Sequence, residues 1–324
     1  MAVATPTAPS ANRSVGWFAH LVGAKSRLQV NEAVWGYIFL IPWVIGLVAF
    51  ILGPILASAY FSFTEYDVIN APRWLGMENY TQALMNDKQF WPSLWRTLVY
   101  SIVVVPVGLV CSLGLAMLLN QKVKGTNLFR TFFFLPSLTP AVALALLWTW
   151  LFHPTVGQIN AALGFFGIPG PGWLSSKDWA MSALIIISLW ASIGGNHMLI
   201  FLAGLQGVPQ ELYEAAEIDG AGSWARFRAV TVPMISPTLL FNLILGVIGA
   251  LKVFTLAFVA TKGGPSYATW FLALHIYRQA FEYFRMGYAS ALAWILFFYI
   301  LALTLILFRL SDLWVYYEAD ERKE

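Results

Sequence analysis

The chain has 324 residues, 59% of them hydrophobic and 11% charged, with a net charge of +3. Soluble domains carry about 25% charged residues, so a mean hydropathy of +0.69 excludes an ordinary soluble globule and points to a bilayer. The charge excess is too small to argue for nucleic acid, and the single cysteine, Cys111, has no second thiol for an internal disulfide.

Residues 1–33 open with Ala, Thr, Pro and Ser, then carry Arg13, Lys25 and Arg27. They hold no apolar core followed by a small-residue cleavage site, so a cleaved signal peptide is not expected. They read as a cytoplasmic tail, partly disordered. Gly23-Ala-Lys-Ser26 is a near miss to a phosphate-binding loop, lacking the first glycine and the Gly-Lys pair. Crossing a hydrocarbon core of about 30 Å takes roughly 20 apolar residues. Six stretches qualify, at about 34–60, 97–119, 131–152, 179–205, 234–260 and 287–308. A multi-pass transmembrane domain is thus expected over 34–310, with a short cytoplasmic tail at 311–324. Prolines 42, 54, 106, 136 and 140 lie in or near these spans, where neighbouring helices can satisfy the freed carbonyls.

Orientation follows from Lys and Arg. With the N-terminus inside, inner segments hold Arg13, Lys25, Arg27, Lys122, Lys124, Arg130, Arg226, Arg228, Arg309, Arg322 and Lys323, eleven in all. Outer loops hold six: Arg73, Lys88, Lys177, Lys262, Arg278 and Arg285. The positive-inside rule places both termini and the 206–233 loop in the cytoplasm of a cell with an inner (plasma) membrane. The long outer loops carry Trp74, Tyr80, Phe90, Trp91, Trp173 and Trp179, either as interfacial belt residues or as contacts for an outer partner.

The 206–233 loop is the one polar stretch with helix punctuation at both ends. Pro209 can take a first helical position, Glu211 and Glu214 suit the positive helix start, and Asp219-Gly220 supplies the stop. The spacing predicts a helix of about ten residues, roughly 15 Å long. Ser223 can cap a second short helix that Pro233 closes. By residue type alone this is either an amphipathic connector lying on the membrane or a docking element.

Glu214-Ala215-Ala216, three residues, Gly220, nine residues and then Val230-x-Val232-Pro233 resemble the EAA loop of binding-protein-dependent ABC importers. The family's usual ending is Ile-x-Leu-Pro, from which the two valines depart mildly. Further segments resemble its sugar-importing branch: Asn79-Tyr80 with Thr97-Leu-Val-Tyr100, Phe129 to Pro136, Trp150 to Asn160, Thr261 to Pro265 and Tyr277 to Ala291. The resemblance implies an all-α polytopic membrane protein of six transmembrane helices, in the type I ABC importer permease architecture with a cytoplasmic coupling helix. It implies a transport subunit that is no enzyme and takes no cofactor. The expected partners are a second homologous permease, two cytoplasmic ABC ATPase subunits, an extracytoplasmic solute-binding protein, a sugar substrate and membrane lipid. On this reading Glu214, Ala215, Ala216, Asp219, Gly220 and Arg226 couple the chain to the ATPase. Import of glycerol-3-phosphate-type anionic solutes is the alternative. A secondary transporter would need a buried carboxylate relay, and no such relay is visible in the six spans.

A solute pathway should show polar residues inside the bundle. Lys252 is the one charge in an otherwise uncharged span, and it either pairs structurally, snorkels or meets an anionic solute. Trp190, Asn196 and His197 interrupt the fourth span beside Gly194-Gly195, with Asn242 in the fifth. They serve either solute recognition or interhelical hydrogen bonding. His20, His153 and His275 are scattered, with no HExxH or CxxC spacing, so no metal site is expected. Arg278, Glu282 and Arg285 read either as an ion-pair face or as a docking patch.

Overall fold

A computed structural model describes residues 27–121 and 124–316. Most of the expected tail at 1–33, the near-miss loop at 23–26, Lys122 and residues 317–324 lie outside them. The chain divides into two units, Met1–Tyr60 and Phe61–Glu324.

In the first unit, α1 (Arg27–Leu47) runs through a π turn at Val48–Leu52 into α2 (Gly53–Ser62). Pro54 has no N–H for the helical ladder, and the π turn, where the Gly53 amide donates to the Val48 carbonyl, takes up the register change just before it. The continuous helix begins seven residues before the predicted start at 34.

The second unit opens with a two-residue antiparallel ladder of β1 (Thr64–Glu65) and β2 (Arg73–Trp74), then α3 (Glu78–Thr81) and the long α4 (Phe90–Leu119). Next come α5 (Thr126–Phe134), α6 (Ala141–Leu151), α7 (Gln158–Phe165), α8 (Ala180–Ile193) and α9 (Asn196–Gln206). The 206–233 loop holds α10 (Gln210–Ile218), α11 (Ser223–Arg226) and α12 (Val232–Met234), and α13 (Ser236–Leu251) with α14 (Thr255–Ala260) follows. The unit ends with α15 (Leu272–Tyr277) and α16 (Met286–Ser311).

Among the described residues, four helical stretches are long and apolar enough to cross a membrane, and two bent pairs raise the total to six. The expected third span is bent by 93° between α5 and α6, the fourth by 41° between α8 and α9. Hydropathy could not register these bends, but the local chemistry explains both. Thr139 stands before Pro140 and is extended (φ −72°, ψ 127°), as a residue ahead of proline prefers. At Gly194 a Cβ would run into the Phe133 carbonyl at the end of α5, so only glycine lets the two segments meet there.

The core of this unit is α4, which packs against α8, α9, α13 and α15. Its buried stripe alternates small and hydroxyl residues with larger ones: Ser93, Thr97, Tyr100, Val105, Gly108, Ser112, Leu115 and Ala116. Small residues let helix backbones approach closely, the usual source of packing energy in lipid. Thr97 and Ser101 return their hydroxyls to the carbonyls four residues back, each at 2.8 Å.

We predict that Gly194→Ala lowers the melting temperature in detergent by the equivalent of about 1–3 kcal/mol, the usual cost of overpacking. Gly114→Ala, where an added Cβ meets nothing within 4 Å, should leave it unchanged or slightly raised.

Candidate functional site

Three polar sites stand out in the second unit. In the 206–233 loop, Pro209 is the N-cap of α10, one position earlier than the sequence suggested. The stop is a complete Schellman motif. Gly220 sits at φ +79°, its amide donates to Glu217 O at 3.0 Å, and the Ala221 amide donates to Ala216 O at 2.9 Å. The expected Ser223 cap does not form, because extended Gly222 takes the N-cap position without a side-chain bond. No residue of α10 is buried: Glu214, Ala215 and Asp219 are exposed and Ala216 half-buried. Ile218 is 86% and Trp224 73% exposed. Arg226 pairs with Glu217 at 3.1 Å, and the Tyr213 hydroxyl lies 3.0 Å from Thr231 Oγ1. Of the six residues singled out here, Arg226 alone makes an ion pair within the loop, with a glutamate outside the set.

The second site is a cavity of about 240 Å³ where α4, α8, α9 and α13 converge. Tyr100, Ser188, Ser192 and His197 give it a polar lining. Tyr100 and Ser188 share a 2.5 Å hydroxyl–hydroxyl hydrogen bond. His197 Nδ1 lies 2.8 Å from Asn242 Oδ1 and therefore donates to it, while Asn242 Nδ2 donates to the His197 carbonyl at 3.4 Å. Asn242 is fully buried. Gly246 opposite leaves room, since a Cβ there would lie 3.2 Å from Val105 and 3.9 Å from His197.

Of the five pathway candidates, the structure brings His197 and Asn242 together. Trp190 instead packs edge-on against Trp148 with centroids 5.6 Å apart. Asn196 is exposed as the first residue of α9, and exposed Lys252 is the C-cap of α13 at the break before α14. Tyr100 was absent from the sequence-based pathway set, for it looks like any aromatic in an apolar run until α4 and α8 are packed.

A family model described as the binding-protein-dependent transport system inner membrane component matches residues 104–315. The chain belongs to that family. It is a multi-pass inner-membrane permease subunit of an ABC transporter and not itself the ATPase. It is 40% identical over 301 residues to the probable ABC transporter permease protein YesP of Bacillus subtilis (strain 168), across 92% of this chain and 96% of that one. It is 32% identical over 285 residues to the probable starch degradation products transport system permease protein AmyD of Thermoanaerobacterium thermosulfurigenes, across 87% and 96%. A crystal structure of a bacterial ABC transporter involved in importing the acidic polysaccharide alginate superposes with a TM-score of 0.78. That match has 22% identity and covers 89% of this chain and 99% of that one; it speaks to the fold.

The permease's third polar site escaped the sequence. Asp87 Oδ2 accepts from Tyr288 Oη at 2.6 Å and His275 Nε2 at 2.8 Å, and Oδ1 accepts from the Gln89 amide at 2.8 Å. Trp270 Nε1 donates to His275 Nδ1 at 3.1 Å, so Nδ1 is an acceptor and Nε2 carries the proton. The Leu272 amide donates to Thr97 Oγ1 at 2.9 Å nearby. The knot ties the segment before α4 to α15 and α16. Its members are 188 and 201 residues apart along the chain, so no local pattern announces it.

Burial alone would push the Asp87 carboxyl up. The hydrogen bonds from Tyr288, the Gln89 amide and His275 together outweigh burial and hold it below its ordinary 3.8. A depressed carboxyl adds stability that is complete above the unfolded value and is lost as pH falls through the folded one. We predict that wild-type permease in detergent loses melting temperature as pH drops below about 4, near the ordinary carboxylate value. Asp87→Asn should be less stable at neutral pH by about 1–3 kcal/mol, the cost of leaving buried partners unsatisfied, and should lack that acid limb.

Proposed function

We propose that the permease forms half of the translocation pathway of an ATP-driven importer of a sugar or oligosaccharide. It is gripped by a separate ATPase through the 206–233 loop. A second related permease, two cytoplasmic ATPase subunits and an extracytoplasmic binding protein complete the assembly. The observation that carries this reading is α10 itself, a capped helix with no buried residue that displays Glu214, Ala215 and Ile218. A connector between spans needs no such element, whereas a helix that enters a partner's groove does. Small Ala215 and Ala216 permit close approach, and exposed Glu214 suits a basic residue on the partner. Membership of a binding-protein-dependent family supports the assembly, and the starch-product permease it resembles supports the sugar.

The eleven-to-six bias of Lys and Arg supports cytoplasmic termini and a cytoplasmic loop. His197, with Tyr100 and Ser188, is the group best placed to meet sugar hydroxyls, since their hydroxyl and imidazole groups face one cavity, and fully buried Asn242 holds the His197 ring from behind. Trp190, Asn196 and Lys252 would contribute only in another state of the bundle or at the second permease.

In proteoliposomes carrying the whole transporter, Glu214→Lys and Gly220→Val should each abolish uptake while the subunit still inserts. A valine at φ +79° costs about 1–2 kcal/mol in backbone strain alone and deforms the helix stop. Normal uptake in both variants would remove the coupling role. In a Cys111→Ser background, Ile218→Cys should react with an impermeant maleimide only from the cytoplasmic face. Labelling from outside would invert the topology. The solute is identified by thermal-shift screening of the cognate binding protein, with a non-carbohydrate hit overturning the sugar assignment.

A further inference from the structure

We propose that Tyr213 is the positioning residue through which movement of the inner-loop helix reaches the fifth span, by its hydrogen bond to Thr231. The inference rests on the coupling reading of the loop. Three observations support it. First, α10 buries nothing of its own, and its packing partners are α11 and the π turn at Phe227–Thr231. A cavity of about 360 Å³ opens beside it, lined by Met117 of α4 and Asn120 at the C-cap of that helix, by Leu205, and by Tyr213, Arg226 and Thr231. Close packing therefore does not weld α10 to the bundle.

Second, the far end of the link is fixed. Thr231 is 5%, Ile235 0% and Ser236 1% exposed. Ser236 Oγ donates to the Pro233 carbonyl at 2.6 Å and accepts the Tyr316 amide at 2.9 Å. The helix running through this root continues as α13, whose Asn242 bonds His197 at the cavity. Third, the loop's other side-chain tie, Glu217 to Arg226, has its carboxylate 70% exposed. Water and salt weaken such a pair, and it ends on α11, short of the buried root. Tyr213 instead runs from the exposed helix to the anchored residue, a geometry that passes a pull on α10 to α13.

Spatial continuity alone does not demonstrate coupling, so the test is a double-mutant cycle in the complete transporter. Tyr213→Phe and Thr231→Val should each lower solute uptake per ATP hydrolysed about fivefold to tenfold, the scale of one lost hydrogen bond. The retained ATPase and the melting temperature should be unchanged. The double variant should be no worse than either single one, and Thr231→Ser, which keeps the hydroxyl, should transport as wild type. Wild-type uptake per ATP in both single variants overturns the link. So does a multiplicative loss in the double variant, or loss of bound ATPase with Tyr213→Phe, which would make Tyr213 a docking contact. Glu214→Lys separates the two ideas. If it and Gly220→Val both leave uptake intact, the coupling reading falls and takes the link with it. If it abolishes uptake while Tyr213→Phe does not, the link alone falls.

Discussion

Inside a bilayer a polar group has no water to turn to, so each one must be answered by another part of the chain. This constraint organises the second unit. Tyr100 meets Ser188, His197 meets Asn242, and the Leu272 amide meets Thr97. Each bond joins two segments distant in sequence, and α4 supplies one side of two of them. The polar residues are few, yet they specify which helices lie side by side. The apolar stripe, by contrast, supplies contact without choosing among helices of equal greasiness.

How far the sequence disclosed this depends on whether a feature is coded locally. The span positions follow from composition over some twenty residues, and α10 follows from proline, acidic and glycine punctuation within fifteen. Both were legible. The bend at Pro136 and Pro140 was half legible: two prolines four apart announce a break, but its 93° angle depends on what α6 packs against. Gly194-Gly195 stood out beside the polar residues of the fourth span, but the contact that demands glycine there, the Phe133 carbonyl, comes from another helix. The Asp87 knot was invisible, because Asp87, Trp270, His275 and Tyr288 become neighbours only once α15 and α16 are in place. At the candidate site, His197 and Asn242 were found because polar residues are scarce in spans. Tyr100 was missed because tyrosine is not.

The distribution of bonds divides the molecule mechanically. The segments around Asp87 are pinned by short, buried, mutually reinforcing bonds. Helix α10 is held to the rest of its own loop by two side-chain ties beside an open cavity. Elements that move come from the least buried parts of a structure, and α10 fits that description better than any of the helices around Asp87. The coupling proposed above would use that contrast, because displacement applied at a loosely held element reaches the bundle as a rocking motion only if another part of it resists.

The helix breaks locate where such a motion would be taken up. The fifth span is interrupted between Leu251 and Thr255, with Phe254 at φ −136°, ψ −64°. Lys252 sits at that interruption as the C-cap of α13. A helix C-terminus carries about half a negative charge, so a cation there is stabilised by the carbonyls that the break leaves without partners. An anionic solute is therefore not needed to explain a lysine in this span. The break places Lys252 at the negative end of α13, where its charge is favoured whatever the solute. The interruption lies next to the Val253 wall of the cavity that His197 lines, so a change of angle there would reshape that cavity directly.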